Sequence, residues 1–101
     1  AKHGLIGLAR AMAHQVPPSV TVNTLCPGWT ETKLATDYFE TAADAMGTDA
    51  AALRAAAEAE NVQKRIVRPE ELGPMAVLMA SELGGAAITG QVISVDGGLK
   101  V

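Results

Sequence analysis

Two stretches of this chain carry residue types whose spacing can do chemistry. Pro27-Gly28-Trp29-Thr30, followed by Thr32, closes a β-branched run and offers backbone N–H and C=O groups together with two hydroxyls. A loop just past the carboxyl end of a parallel strand is where open α/β sheets bind ligands. The competing reading is an ordinary strand-ending turn. The other candidate is Lys2, which taken alone reads as a solvated cation near a helix start. His3 and His14 stand eleven apart and share no spacing with a carboxylate or cysteine, so both read as surface or interface residues and no metal is expected. Cys26 is the only cysteine, which rules out an internal disulfide and any multi-cysteine metal centre. At the end of an apolar strand it reads as a small core residue. Asp96, in Asp96-Gly97-Gly98, reads as a turn or interface residue.

The elements that must position these residues follow from periodicity and punctuation. Leu5, Leu8 and Met12 recur at helical spacing, and Val16-Pro17-Pro18 ends that helix by restricting the backbone and withholding a donor. Gly4 and Gly7 each lower its propensity by up to about 1 kcal/mol relative to Ala, and their small face suits close approach of another backbone. Ser19 to Cys26 reads as a strand closed by Pro27-Gly28, and residues 29 to 36 as a polar loop. Asp37 to Asn61 is Ala-rich and broken by Gly47, with Thr48 or Asp49 as N-cap of a second short helix. Arg68-Pro69-Glu70-Glu71 opens a further helix, with proline in the first turn and carboxylates at the positive end of the dipole. Pro74, one turn in, should kink that helix or shift its start. Gln91 to Val95 reads as a second strand, parallel to the first through a right-handed crossover.

Composition narrows the functions. Of the 101 residues 49% are hydrophobic and only 3% aromatic, which suits closely packed helices on a small sheet and not a stacking platform for bases. The formal net charge is −3 and no Lys/Arg run occurs, which argues against nucleic acid as a partner. No apolar run approaches a membrane span, so no membrane is expected and a cytoplasmic location is the default. A chain this short buries roughly 60–70% of its unfolded surface, a small core. Two parallel strands do not make a stable sheet, and the first helix begins without a capping residue before it. Both features suggest a piece of a larger unit.

The opening Lys2-His3-Gly4-Leu5 with Gly7-Leu8 resembles the segment that follows the active-site tyrosine of short-chain dehydrogenases/reductases. Val20-Thr21-Val22-Asn23-Thr24-Leu25-Cys26-Pro27-Gly28, with Thr32, is similar to that family's strand and nicotinamide loop. Arg68-Pro69-Glu70-Glu71-Leu72 and Thr89-Gly90-Gln91 through Asp96-Gly97-Gly98 resemble its last helix, last strand and closing turn. Each piece is weak alone; four in order are specific.

The resemblance implies an α/β fold, the C-terminal part of a doubly wound Rossmann-type parallel sheet. Residues 1–101 would form one partial nicotinamide-dinucleotide-binding oxidoreductase domain, with 34–64 as a lid over the substrate. It implies NAD or NADP as cofactor and a small carbonyl or alcohol substrate, a 3-oxoacyl compound in the relatives it most resembles. It also implies homo-oligomers, dimer or tetramer. Lys2 would be catalytic and cofactor-binding: it would hold the ribose hydroxyls and lower the pKa of a tyrosine four residues earlier, three residues before Ala1. Pro27, Gly28, Trp29, Thr30 and Thr32 would meet the nicotinamide side. Trp29, Leu34, Tyr38 and Phe39, with Met46, would line the substrate pocket or form the helices' own packing face. The glycine-rich dinucleotide fingerprint is missing: Gly4-x-x-Gly7 lies within a helix and Gly84-Gly85 follows one. The isolated chain is therefore expected to be inactive. The alternative is a non-catalytic interaction module derived from the same family.

Overall fold

Thr24–Pro27 (β1) and Val92–Val95 (β2) pair in parallel, with Leu25 opposite Ile93 and Cys26 opposite Ser94. The computed structural model describes residues 2–99, for Lys2 its backbone alone. Around the two strands run Lys2–Gln15 (α1), Lys33–Met46 (α2), Ala50–Ala59 (α3), a 3₁₀ turn at Pro69–Glu71, Gly73–Ala80 (α4) and Glu82–Gly85 (α5). The order helix, strand, helical pair, helix, strand is the one expected, and the parallel pair carries its helices as a crossover. It is part of an α/β Rossmann-type domain.

The caps account for the helix ends. Thr32, in extended conformation, accepts the Ala35 N–H through its hydroxyl at 3.3 Å and starts α2. Gly47 ends α2 at φ 70°, the left-handed geometry that glycine adopts without strain, and the N–H groups of Gly47 and Thr48 both reach the Ala43 carbonyl. Asp49 then caps α3, its carboxylate accepting the Ala52 N–H at 2.7 Å. Of the two expected caps, Asp49 is the one used. The stretch expected to be loop through Thr36 is helical from Lys33, because the Thr32 hydroxyl satisfies a free N–H four residues earlier than Ala-richness suggests. Pro74 falls in the first turn of α4, where no amide donor is needed, so it shifts the start of the helix and does not kink it.

The first strand is shorter than the sequence suggests. Ser19 to Asn23 lies outside it, because polar side chains intercept the ladder. The Val22 N–H donates to the Thr89 hydroxyl at 3.1 Å, and the Asn23 amide donates to the Ile88 carbonyl at 2.8 Å while accepting the Gln91 N–H at 3.1 Å.

Packing is concentrated around α2 and α3. Phe39 is buried against Ala35, Ala57 and Ile66, with Trp29, Ala50 and Leu53 closing over them. Val67 and Ala43 are also buried. Helix α1 shares little of this: Leu5, Leu8 and Met12 are exposed and line an open apolar groove with Val22 and Leu25. The radius of gyration is 16.6 Å, against roughly 13 Å for a compact domain of this length. Among the described residues no helix is long and apolar enough to cross a membrane.

Candidate functional site

The loop after β1 is braced by its own residues. Gly28 continues the ladder, its N–H donating to the Val95 carbonyl at 3.4 Å. A methyl group on Gly28 would lie 2.7 Å from the Asp96 Cβ, so only glycine lets the ends of the two strands come this close. The Val67 N–H donates to the Trp29 carbonyl at 3.0 Å and the Glu31 N–H to the Val67 carbonyl at 2.8 Å, a one-residue parallel bridge centred on Thr30 and Val67. The Thr30 hydroxyl donates to the Gly28 carbonyl at 3.1 Å, and the Thr32 hydroxyl to the Thr30 carbonyl at 3.3 Å. These bonds brace Pro27 to Thr32 at the carboxyl end of the sheet. The N–H groups of Trp29 and Thr30 donate to no group among the described residues. They remain available to an external acceptor.

Of the expected pocket residues, the Trp29, Tyr38 and Phe39 rings form one cluster whose members differ in exposure. Trp29 is half-buried, its ring centroid 5.3 Å from Tyr38 and 5.0 Å from Phe39. Phe39 is 4% exposed and belongs to the core, so its ring is a packing residue that faces no free surface. Tyr38, Leu34 and Met46 lie on the outside of α2, all more than half exposed. Thr32 is engaged as the cap of α2, so its hydroxyl is not a free donor. The Lys2 side chain lies outside the described residues. Cys26 is a half-buried free thiol, and the Asp96 carboxylate accepts the Gly98 N–H at 2.9 Å within its own turn. His3 and His14 are exposed, and among the described residues no cluster of His, Cys, Asp or Glu is placed to hold a metal ion.

Two residues, one within the loop and one facing it from α3, were not singled out from the sequence. Glu31 meets the Arg54 guanidinium in a two-pronged contact, and Arg54 Nε also donates to Glu58 at 3.1 Å. The facing guanidinium holds the Glu31 carboxyl below its ordinary range, and Glu31 in turn raises Arg54. No local signal marks the pair, since its members are 23 residues apart. A second pair, Arg65 on Glu71 at 2.6 and 2.8 Å, stands in an open cleft of about 460 Å³ with Val67 and Asp96. That cleft lies beside the loop and includes none of residues 27 to 32. Its guanidinium is already matched by a carboxylate, which makes it a poor receptor for an anion.

Residues 1–100 match the family model described as enoyl-(acyl carrier protein) reductase. A putative ketoacyl reductase of the monensin polyketide synthase from Streptomyces virginiae is 34% identical over 97% of this chain, which covers 38% of that protein. A D-beta-hydroxybutyrate dehydrogenase from Cupriavidus necator is 33% identical, with 97% of this chain and 38% of that protein aligned. The fold superposes on the F189W actinorhodin polyketide ketoreductase solved with NADPH at a TM-score of 0.85 and 32% identity, covering 97% of this chain and 38% of that one. The chain belongs to the short-chain dehydrogenase/reductase family. It spans about 38% of the length of the curated relatives it matches.

Proposed function

We propose that this chain is the carboxyl-terminal part of an NAD(P)-dependent oxidoreductase that interconverts a ketone and a secondary alcohol, with 3-oxoacyl compounds as the first substrate class to test. The observation that carries the proposal is the Pro27–Thr32 loop: braced by its own hydrogen bonds, at the carboxyl end of a parallel strand, with the Trp29 and Thr30 N–H groups bonded to nothing among the described residues. A carboxamide needs that kind of partner, fixed main-chain groups spaced for an amide. The loop therefore fits a nicotinamide, and Pro27, Gly28, Trp29 and Thr30 would hold it. Thr32 contributes by fixing the loop and starting α2 and not by direct contact. Lys2 would hold the ribose hydroxyls and, in the longer protein, favour the ionised form of a tyrosine one helical turn earlier. When bound, the dinucleotide supplies or accepts the hydride. The chain's own residues orient it and exclude water from one side.

Helices α2 and α3 are the lid in this reading, with Trp29 and Tyr38 as the aromatic surface that a substrate would meet. Exposed Leu5, Leu8 and Leu83 would be covered by the rest of the protein or by a second subunit of a homo-oligomer. The test uses the full-length protein with NADPH or NADH and a panel of 3-oxoacyl esters, followed by loss of cofactor absorbance. Turnover should fall roughly 10²–10⁴-fold in Lys2→Ala, the range for losing assistance to a general acid or base. The 101-residue chain alone should show none. Turnover by that chain, abolished by Lys2→Ala, would overturn the division of labour proposed here.

A further inference from the structure

A long side chain of helix α3, Arg54, reaches the loop. Arg54 lies midway along α3, and its Nη1 donates to Glu31 Oε1 at 2.7 Å while Nη2 meets Oε2 and Nε meets Glu58. A guanidinium has five donors in a rigid fork, and this one spends its Nε face and its outer face on two carboxylates at once. Glu58 is one turn along the same helix, so it aims the fork; Glu31 is the partner on the other side of the contact.

The two sides of the pair are not held equally. The loop keeps its shape through bonds that do not involve Arg54: Glu31 N–H to Val67, Val67 N–H to Trp29, Thr30 to Gly28 and Thr32 to Thr30. Helix α3 is held by apolar packing against α2, with Ala57 in the core and Leu53 and Ala50 at its edge, and by the Asp49 cap. Loss of the guanidinium should therefore let α3 shift relative to the loop, which keeps its own bonds.

We propose that Arg54 is a positioning residue that, through Glu31, sets the placement of α3 relative to Trp29, and so governs how the carbonyl substrate is held while leaving dinucleotide binding untouched. The inference rests on reading 27–32 as the nicotinamide loop and 34–64 as the lid. Arg54 touches neither cofactor nor substrate; it acts through α3.

The experiment compares full-length wild type, Arg54→Gln, and the reversed pair Glu31→Arg/Arg54→Glu. Dinucleotide affinity is read by titration, and KM and kcat with a 3-oxoacyl ester. Arg54→Gln should raise KM roughly tenfold, in line with losing a charged two-pronged contact that is partly screened, while dinucleotide Kd stays within about twofold. The reversed pair should bring KM most of the way back. Amide hydrogen exchange supplies a readout free of turnover: residues 50–59 should exchange faster in Arg54→Gln, with residues 5–15 unchanged. Equal loss of dinucleotide affinity, an unmoved KM, a reversed pair that fails to restore it, or unaltered exchange in α3 would each overturn the proposal. Wild type that binds no dinucleotide would instead sink the functional reading, and the exchange result would still decide whether Arg54 places α3.

Discussion

Helices α1 and α2 are both 14 residues long, yet they treat their apolar residues in opposite ways. Helix α2 buries Phe39 to 4% exposure among Ala35, Ala57 and Ile66, whereas α1 leaves Leu5 at 57% and Leu8 at 56%. Both carry apolar residues at helical spacing, more sharply in α2, and they differ above all in having a partner. Helix α2 has α3 and the 66–67 segment to close against, supplied within the next thirty or so residues of chain. Among the described residues, helix α1 faces residues 22–25, in and just before β1, across an open groove. An apolar stripe states that a helix has a face to bury, and only a neighbouring surface makes it a core. The α2–α3 region carries its own packing, and α1 does not.

That contrast can be broken by mutation in the isolated chain, with urea unfolding followed through Trp29 emission, because Trp29 closes over the core. Phe39→Ala should have the largest effect, a loss of about 3–5 kcal/mol, because a large ring leaves a cavity that small neighbours cannot fill. Gly28→Ala should cost roughly 1–3 kcal/mol, since the new methyl must push the ends of β1 and β2 apart. Asp49→Ala should cost about 1 kcal/mol through the lost cap of α3. Leu8→Ala should stay within about 0.5 kcal/mol in this chain, as for any exposed position. A Leu8→Ala effect as large as that of Phe39→Ala would mean that α1 is packed after all, and the contrast would fail.

Acid sharpens the same comparison at one pair. Arg65 beside Glu71, with the Arg68 N–H donating to the same carboxylate, lowers the Glu71 pKa from 4.5 to about 2. The folded chain then binds that proton less readily than the unfolded one. Stability from this group is present above about pH 4.5 and is lost as the pH falls towards about 2. Glu71→Gln should flatten that part of the stability profile, and an unchanged slope would remove Glu71 from the account.

Much of the layout was legible because it is written locally. The break at Gly47, the cap at Asp49 and the Pro17-Pro18 stop act on their own neighbours, within one turn of helix; Pro69 opens only a 3₁₀ turn, and the α-helix expected from it begins at Gly73. The Pro27-Gly28 loop and the parallel pairing also followed from residue order. Thr32 was legible in kind, a threonine ahead of an apolar helical stretch, but its chemistry as a ligand drew attention from its chemistry as a cap. Ser19 to Asn23 has the composition of a strand; Asn23 and Thr89 divert its hydrogen bonds, and they meet only once the two segments are side by side.

The sequence by itself determined the family likeness, the helix and strand order, the break at Gly47 and the position of the loop. Those depend on backbone preferences and spacings that a few neighbouring residues set. The tertiary structure alone decided that Phe39 packs inside while Tyr38 faces out, that Gly28 abuts Asp96, and that Arg54 finds Glu31. Each of those depends on where a helix or strand comes to rest against another. That is fixed by shape and burial summed over the fold, which no short stretch of sequence contains.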